Sequence, residues 1–390
     1  MSREIEFANE LIDFIHDSPS EFHVVENARA IFEQHGFEQL DPGSDWELSP
    51  GGKYFTSTNG SAFIAFIVGH GALPAAGFRV IESHTDSPTI KVKPQPEMVA
   101  ADHYLKLNAE VYGSPIWNTW LDRPLTLAGR VSVRTGDAFQ PRDVLVRFDR
   151  PILYIPNLSI HHNKDVNSGV ALNQQKDLIP ILGVIDETFS KQGFLTGLLA
   201  EQLQLEPDEI LDFELSMSEF EQGCVMGLSN EFISSTRLDN LSLLHAGARA
   251  LSESSAGEAT TVLCCVDNEE VGNRTRQGAD SPMLAAALER IVLATGGDRR
   301  DYYRALSNSF MISADVSHAL HPNVPERSDP VVGAKLNEGP TIKFSGAQKF
   351  TSDSNSIAVF KRLCEEAEVP YQYYVNRSDS PGGSSAGPAS

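Results

Sequence analysis

The chain has 390 residues, 41% hydrophobic and 22% charged, the balance of a soluble globular protein with room for two or three domains. Its 53 acidic and 31 basic side chains leave a formal net charge of −22, which disfavours nucleic acid and anionic membrane surfaces as partners. No apolar run approaches the roughly 18 residues a bilayer crossing needs, and the N-terminus carries Glu4, Glu6, Glu10, Asp13 and Asp17 where a leader peptide would be basic. The cysteines Cys224, Cys264, Cys265 and Cys364 have no zinc-knuckle spacing and read as buried thiols of a reducing, cytoplasmic compartment.

Ile5, Leu11, Ile12 and Ile15 fit one face of a first helix, interrupted at Asp17-Ser18-Pro19-Ser20. A second helix is predicted from Ser20 as N-cap, with Val24, Val25, Ala28, Ile31 and Phe32 apolar and a stop at Gly36. Ser61–Val68 and Phe78–Ile81 then read as buried strands. From residue 94 the texture changes: Leu125, Leu127, Val131 and Val133 alternate with their neighbours, as do Val144, Val146 and Phe148, and Asp212–Met217 closes this β-rich stretch near residue 216. Beyond it, helices at Leu241–Leu251 and Met283–Leu293 alternate with short apolar strands at Thr260–Val266 and Phe310–Ile312. The reading is an α/β domain with a mostly parallel sheet covered by helices, formed by residues 1–93 and 217–390 and split by a β-rich insertion at 94–216.

Three apolar strands deliver polar side chains at their ends. Phe78–Ile81 leads to Glu82-Ser83-His84-Thr85-Asp86, Thr261–Val266 to Asp267-Asn268-Glu269-Glu270, and Phe310–Ile312 to Ser313-Ala314-Asp315. In open α/β sheets ligands bind at the carboxyl ends of strands. A fourth element, Arg237-Leu238-Asp239-Asn240, stands at a helix start, where Asp239 taken alone is an ordinary cap. Each of the others alone is equally ordinary: a structural histidine, a solvated glutamate pair, a turn aspartate. Together, imidazole and carboxylates without thiolates suit a catalytic zinc, manganese or cobalt centre. Asp86, two residues after His84, is placed to orient its ring. The adjacent Glu269 and Glu270 can divide proton transfer and metal ligation between them.

These residues resemble the aspartyl aminopeptidases, metallopeptidases that remove acidic residues from peptide N-termini. Ser18-Pro19-Ser20-Glu21-Phe22-His23 is similar to that family's SPSPFH, His84–Pro88 to its HTDSP, Arg237–Asn240 to RLDN and Asp267–Gly272 to D-x-E-E-[IV]-G. Ser313–Asn323 and Gly339–Lys343 follow in the same order. The resemblance implies a zinc-exopeptidase-like catalytic domain, two divalent ions per subunit and a dodecameric homo-oligomer. It implies that Asp239 bridges the ions, that His84 and Asp315 complete one and that Glu270 ligates the other. Glu269 becomes the general base acting on a water shared by the two ions, with Asp86 behind His84. Lys343 faces the acidic side chain of the substrate, and His161 of the insertion reaches a neighbouring subunit's site; taken alone, the two are a surface lysine and a loop histidine.

The resemblance further implies a C-terminal tail whose M-H-S histidine is a fifth ligand. None of the 11 histidines follows His321, and Ser385-Ala386-Gly387 stands where the family has T-I-G. Two alternatives therefore accompany the acidic-residue aminopeptidase: a related two-metal aminopeptidase for neutral residues, and an inactive structural form lacking the last ligand.

Overall fold

The structure is a computed structural model; it describes residues 2–186, 189 and 191–380. Ser385-Ala386-Gly387 lies outside the described residues. The chain divides into two units, one comprising the residues up to Ala30 with Asp86–Val225 and Ile233–Arg237, the other Ile31–Thr85, Met226–Phe232 and the chain from Leu238 onward.

The second unit is built on a six-stranded sheet ordered Glu38–Gln39, Lys53–Thr58, Ala62–Ile67, Thr260–Val266, Phe78–His84, Phe310–Ser313. Ala62–Ile67 (AFIAFI) is buried at every position, the signature of a strand covered on both faces. The Phe78–His84 strand runs parallel to both of its neighbours, and Lys53–Thr58 pairs antiparallel with Ala62–Ile67. The sequence reading ended the Phe78 strand at Ile81; the ladder continues because Glu82, Ser83 and His84 lie opposite Cys264, Cys265 and Val266. On one face Phe66, Phe78, Val80, Val262 and Cys264 pack with Leu288, Ile291 and Val292 of the Met283–Ala294 helix. Each such side chain, fully buried, contributes about 1.5–3 kcal/mol. On the Leu238–Glu253 helix, Gly247 permits close approach: a Cβ there would stand 2.9 Å from Leu263 Cδ1.

The first unit carries an antiparallel sheet ordered Arg142–Arg147, Leu125–Val133, Ile210–Glu219, Thr89–Ala100, Tyr104–Tyr112, Ile181–Val184. Leu107, Leu125, Leu127, Val131, Leu215 and Met217 form its core with Leu195 and Leu199 of the Phe194–Leu203 helix. The Thr89–Ala100 strand breaks register between Val92 and Glu97, where Pro94 and Pro96 have no N–H to donate to a ladder.

One cysteine departs from the sequence reading. Cys264, Cys265 and Cys364 are buried, but Cys224 is exposed. It sits in the strand Cys224–Met226 of a two-stranded sheet, with Met226 exposed beside it.

Candidate metal centre

The parallel ladder fixes where the site residues emerge. Val266 lies opposite His84 and Ser313 opposite Glu82, so the three strands end at nearly one level. Thr85 ties two of them: its N–H and its hydroxyl both donate to the Val266 carbonyl, at 2.8 and 3.2 Å, and the hydroxyl also donates to Ser61 O. The Ala314 N–H donates to Glu82 O at 2.7 Å. These bonds set the direction in which His84, Glu269-Glu270 and Asp315 leave the sheet.

His84 Nε2 stands 3.3 Å from Asp239 Oδ1 and 4.0 Å from Asp315 Oδ1. A ligand atom from each of these three residues lies within 4.8 Å of the other two, a spacing that one ion at ordinary zinc–nitrogen and zinc–oxygen distances would span. The His84 side chain is 3% exposed and that of Asp239 50%, so the cluster has a protein wall on one side and an open approach on the other. Asp239 stands at the start of the Leu238–Glu253 helix. Its backbone (φ −82°, ψ 111°) and that of Asn240 (φ −117°, ψ 21°) are non-helical, and the peptide between them is cis.

Lys343, on the short Thr341–Lys343 strand, places Nζ 2.9 Å from Asp315 Oδ2 and 2.6 Å from the Val316 carbonyl. Asp315 and Lys343 also line a cavity of 480 Å³ together with Phe310, Ile342, Lys349 and Phe350.

Glu269 and Glu270 begin the turn Glu269–Val271, which Asp267 and Asn268 join to the Thr260–Val266 strand. That turn is shaped by Asn268, left-handed at φ 65°, a conformation asparagine tolerates better than most residues. The Asn268 Oδ1 accepts from Thr275 Oγ1 at 2.7 Å and from Gln277 Nε2 at 3.0 Å, while its N–H donates to Asp267 Oδ1. Glu270 is not part of the three-residue cluster. Asp86, in the first unit, is buried and accepts from the Tyr112 hydroxyl at 2.7 Å. His161 lies on an exposed loop of that same unit.

Two residues had no role in the sequence reading. Glu82 is fully buried, and burial pushes its carboxyl up to about 8, with the charges of Glu269 and Asp315 acting in the same direction. Asn240 is likewise fully buried, its amide donating to Ser83 Oγ and Ala314 O. Glu82 looked like the first polar residue past a strand; only the ladder register reveals its burial. Asn240 carried a signal, its place beside Asp239 in the Arg237–Asn240 motif.

A family model described as aminopeptidase I zinc metalloprotease (M18) matches residues 14–390. Over 388 residues the chain is 54% identical to a probable M18 family aminopeptidase 2 of Clostridium acetobutylicum, covering all of this chain and 90% of that protein. Among solved structures, the Ape4 and Nbr1 complex contains a chain that superposes with a TM-score of 0.93 at 36% identity, covering 98% of this chain and 77% of that one. The S. cerevisiae mApe1 dodecamer superposes with a TM-score of 0.79 at 27% identity, covering 94% of this chain and 84% of that one.

Proposed function

The chain belongs to the M18 family of zinc metallo-aminopeptidases, hydrolases of the peptide bond, and from that premise we propose that it releases acidic residues from peptide N-termini at a centre of two divalent ions. The observation that carries the reading is the convergence of His84, Asp239 and Asp315 at the ends of separate elements of one sheet unit. Their donor set, one imidazole and two carboxylates without thiolate, fits a catalytic rather than a structural zinc. We assign His84 and Asp315 to one ion, Glu270 to the other, and Asp239 to both.

Zinc in such a site lowers the pKa of a water toward neutrality and polarises a peptide carbonyl. The protein's share is the positioning and the proton. Glu269, on the turn that Asn268 holds, takes the proton from the attacking water at its carboxylate and returns it to the leaving amine. Asp86 follows His84 by two residues and orients its ring, and the Tyr112 hydroxyl keeps Asp86 in place. Lys343 meets the acidic side chain of the substrate as a fixed positive charge, at the wall of the cavity it shares with Asp315. We assign His161 to contact with substrate in a neighbouring subunit. The β-rich stretch 94–216 then serves as a lid and dimerisation insertion between catalytic parts 1–93 and 217–390.

We also propose self-association into a large homo-oligomer, as in the mApe1 dodecamer, and a cytoplasmic setting. Among the described residues no helix is long and apolar enough to cross a membrane. The purified protein is expected to release aspartate or glutamate from peptides bearing them first, and a chelator should stop it. No release with added zinc, manganese or cobalt would overturn the proposal. Light scattering on the eluted protein reads the assembly, and a monomer at micromolar concentration would overturn that part.

A further inference from the structure

Asn240 stands on the element that carries Asp239 and bonds to the two that carry His84 and Asp315. Its Nδ2 donates to Ser83 Oγ at 3.0 Å and to the Ala314 carbonyl at 2.8 Å. Ser83 immediately precedes His84, Ala314 immediately precedes Asp315, and Asn240 itself follows Asp239. One amide nitrogen therefore joins the chain neighbours of all three residues of the cluster.

The chemistry of the site asks for this residue type. A primary amide has two N–H bonds on one nitrogen, so it can bridge two acceptors. Aspartate in the same shape has none, leucine has none, and glutamine places the group one methylene further out. The Ala314 carbonyl lies beyond the last ladder pair, Ser313 with Glu82, and its own N–H is already given to Glu82 O. With the carbonyl held by Asn240, both backbone polar groups of Ala314 are fixed just where Asp315 begins. Asn240 is completely buried and Ser83 is 3% exposed, so the bond between them does not compete with water, and the bond to Ala314 is partly shielded.

We infer that Asn240 is a positioning residue for the metal centre, an amide strap that sets the mutual spacing of His84, Asp239 and Asp315. This rests on the metal reading proposed above. Metal affinity is sensitive to such support, because ligands that sit about 1 Å out of place cannot close the coordination geometry.

The test measures zinc affinity by competition with a chromophoric chelator, and separately the melting of each protein in excess chelator. Asn240→Leu, similar in shape without donors, is expected to weaken zinc binding about 10–100-fold, as loss of outer-sphere support does elsewhere. Ser83→Ala removes one arm and should cost about fivefold, the worth of a single neutral hydrogen bond. The double variant should bind no worse than Asn240→Leu, since both changes remove one strap. A purely structural role predicts something else: lower melting in chelator with zinc affinity within about twofold of wild type, and that result overturns the inference. Should Asn240→Leu fail to fold, an unchanged zinc affinity in Ser83→Ala overturns it. Wild-type protein that binds no zinc overturns the metal reading itself, a different result from tight binding that the variants leave untouched.

Discussion

The Lys343 ammonium lies 2.9 Å from Asp315 Oδ2, so the residue assigned to substrate recognition is in direct contact with a residue assigned to the metal. With side-chain exposures of 16% and 19%, the pair is poorly screened by water. Lys343→Ala should therefore separate acidic from neutral specificity. A charge-assisted hydrogen bond is worth about 1.5–3 kcal/mol, so kcat/KM on aspartyl and glutamyl substrates should fall about 10–100-fold. Leucyl substrates should change far less. An equal loss on both classes would favour an aminopeptidase for neutral residues, with Lys343 serving only to hold Asp315.

Asp239 is the most exposed member of the cluster and the one assigned to both ions. Asp239→Asn keeps its shape and halves its capacity as a ligand, since the amide nitrogen cannot bind a cation. Metal analysis should find fewer than two ions per chain, with activity falling by several orders of magnitude and melting in chelator little changed. Two ions retained in the variant would remove Asp239 from the bridging role.

The elements that were legible in the sequence are those whose burial is uniform. Thr260–Val266 was readable to its last residue because a run of seven, four of them β-branched, has the length and composition of a buried strand rather than a helix. The end of the Phe78 strand was not, because Glu82, Ser83 and His84 look like a loop until the Cys264–Val266 ladder is seen beside them. Glu38–Gln39 gave no signal at all; two exposed polar residues form a strand there only because Tyr54 and Phe55 present a partner. The same division holds at the site. His84 and Asp315 were candidates because they follow strands and Asp239 because it opens a helix, whereas the burial of Glu82 and the contacts of Asn240 depend on register, which no single segment encodes.

His245, on the Leu238–Glu253 helix, is driven down to about 4, first by burial and then by the Arg249 charge. The folded state thus disfavours its protonated form, while the unfolded chain binds the proton near pH 6.5. This contribution to stability is complete above about 6.5, declines as the pH falls towards 4, and is level below that. Its size is up to about 3 kcal/mol at roughly 1.4 kcal/mol per unit. His23, brought to about 4 chiefly by burial, acts in the same window with the same sign. Urea titrations from pH 7.5 to 4 should give a shallower dependence for His245→Gln than for wild type; superimposable curves would contradict the assignment.

Gly77 stands at φ 67°, where a Cβ would lie 2.3 Å from the Asn308 carbonyl oxygen and 3.0 Å from that of Ala305. Both neighbours are backbone at the end of the Arg299–Ser307 helix, so neither can swing aside. Gly77→Ala combines a left-handed backbone with this overlap and should destabilise by about 2–4 kcal/mol. Because the residue opens the Phe78–His84 strand, zinc affinity in the surviving folded fraction should stay close to wild type. A melting temperature unchanged from wild type would show that the turn can open at no cost.

The neighbouring glutamates offer the sharpest division of roles. Glu269 and Glu270 share one turn and one charge type, yet they are assigned different work: Glu269 moves the proton, Glu270 holds an ion. Glutamine at each position preserves size and removes the charge, so the two variants should fail differently. Glu269→Gln should keep both ions and bind substrate with KM near wild type, while kcat falls about 10²–10⁴-fold, the usual worth of a positioned acid or base. Glu270→Gln should lose one ion first, and added zinc should restore part of its activity, because mass action refills a weakened site. Zinc should do nothing for Glu269→Gln. If the rescue appears in Glu269→Gln instead, the two assignments are exchanged. If neither variant loses metal, the second ion is held without this turn.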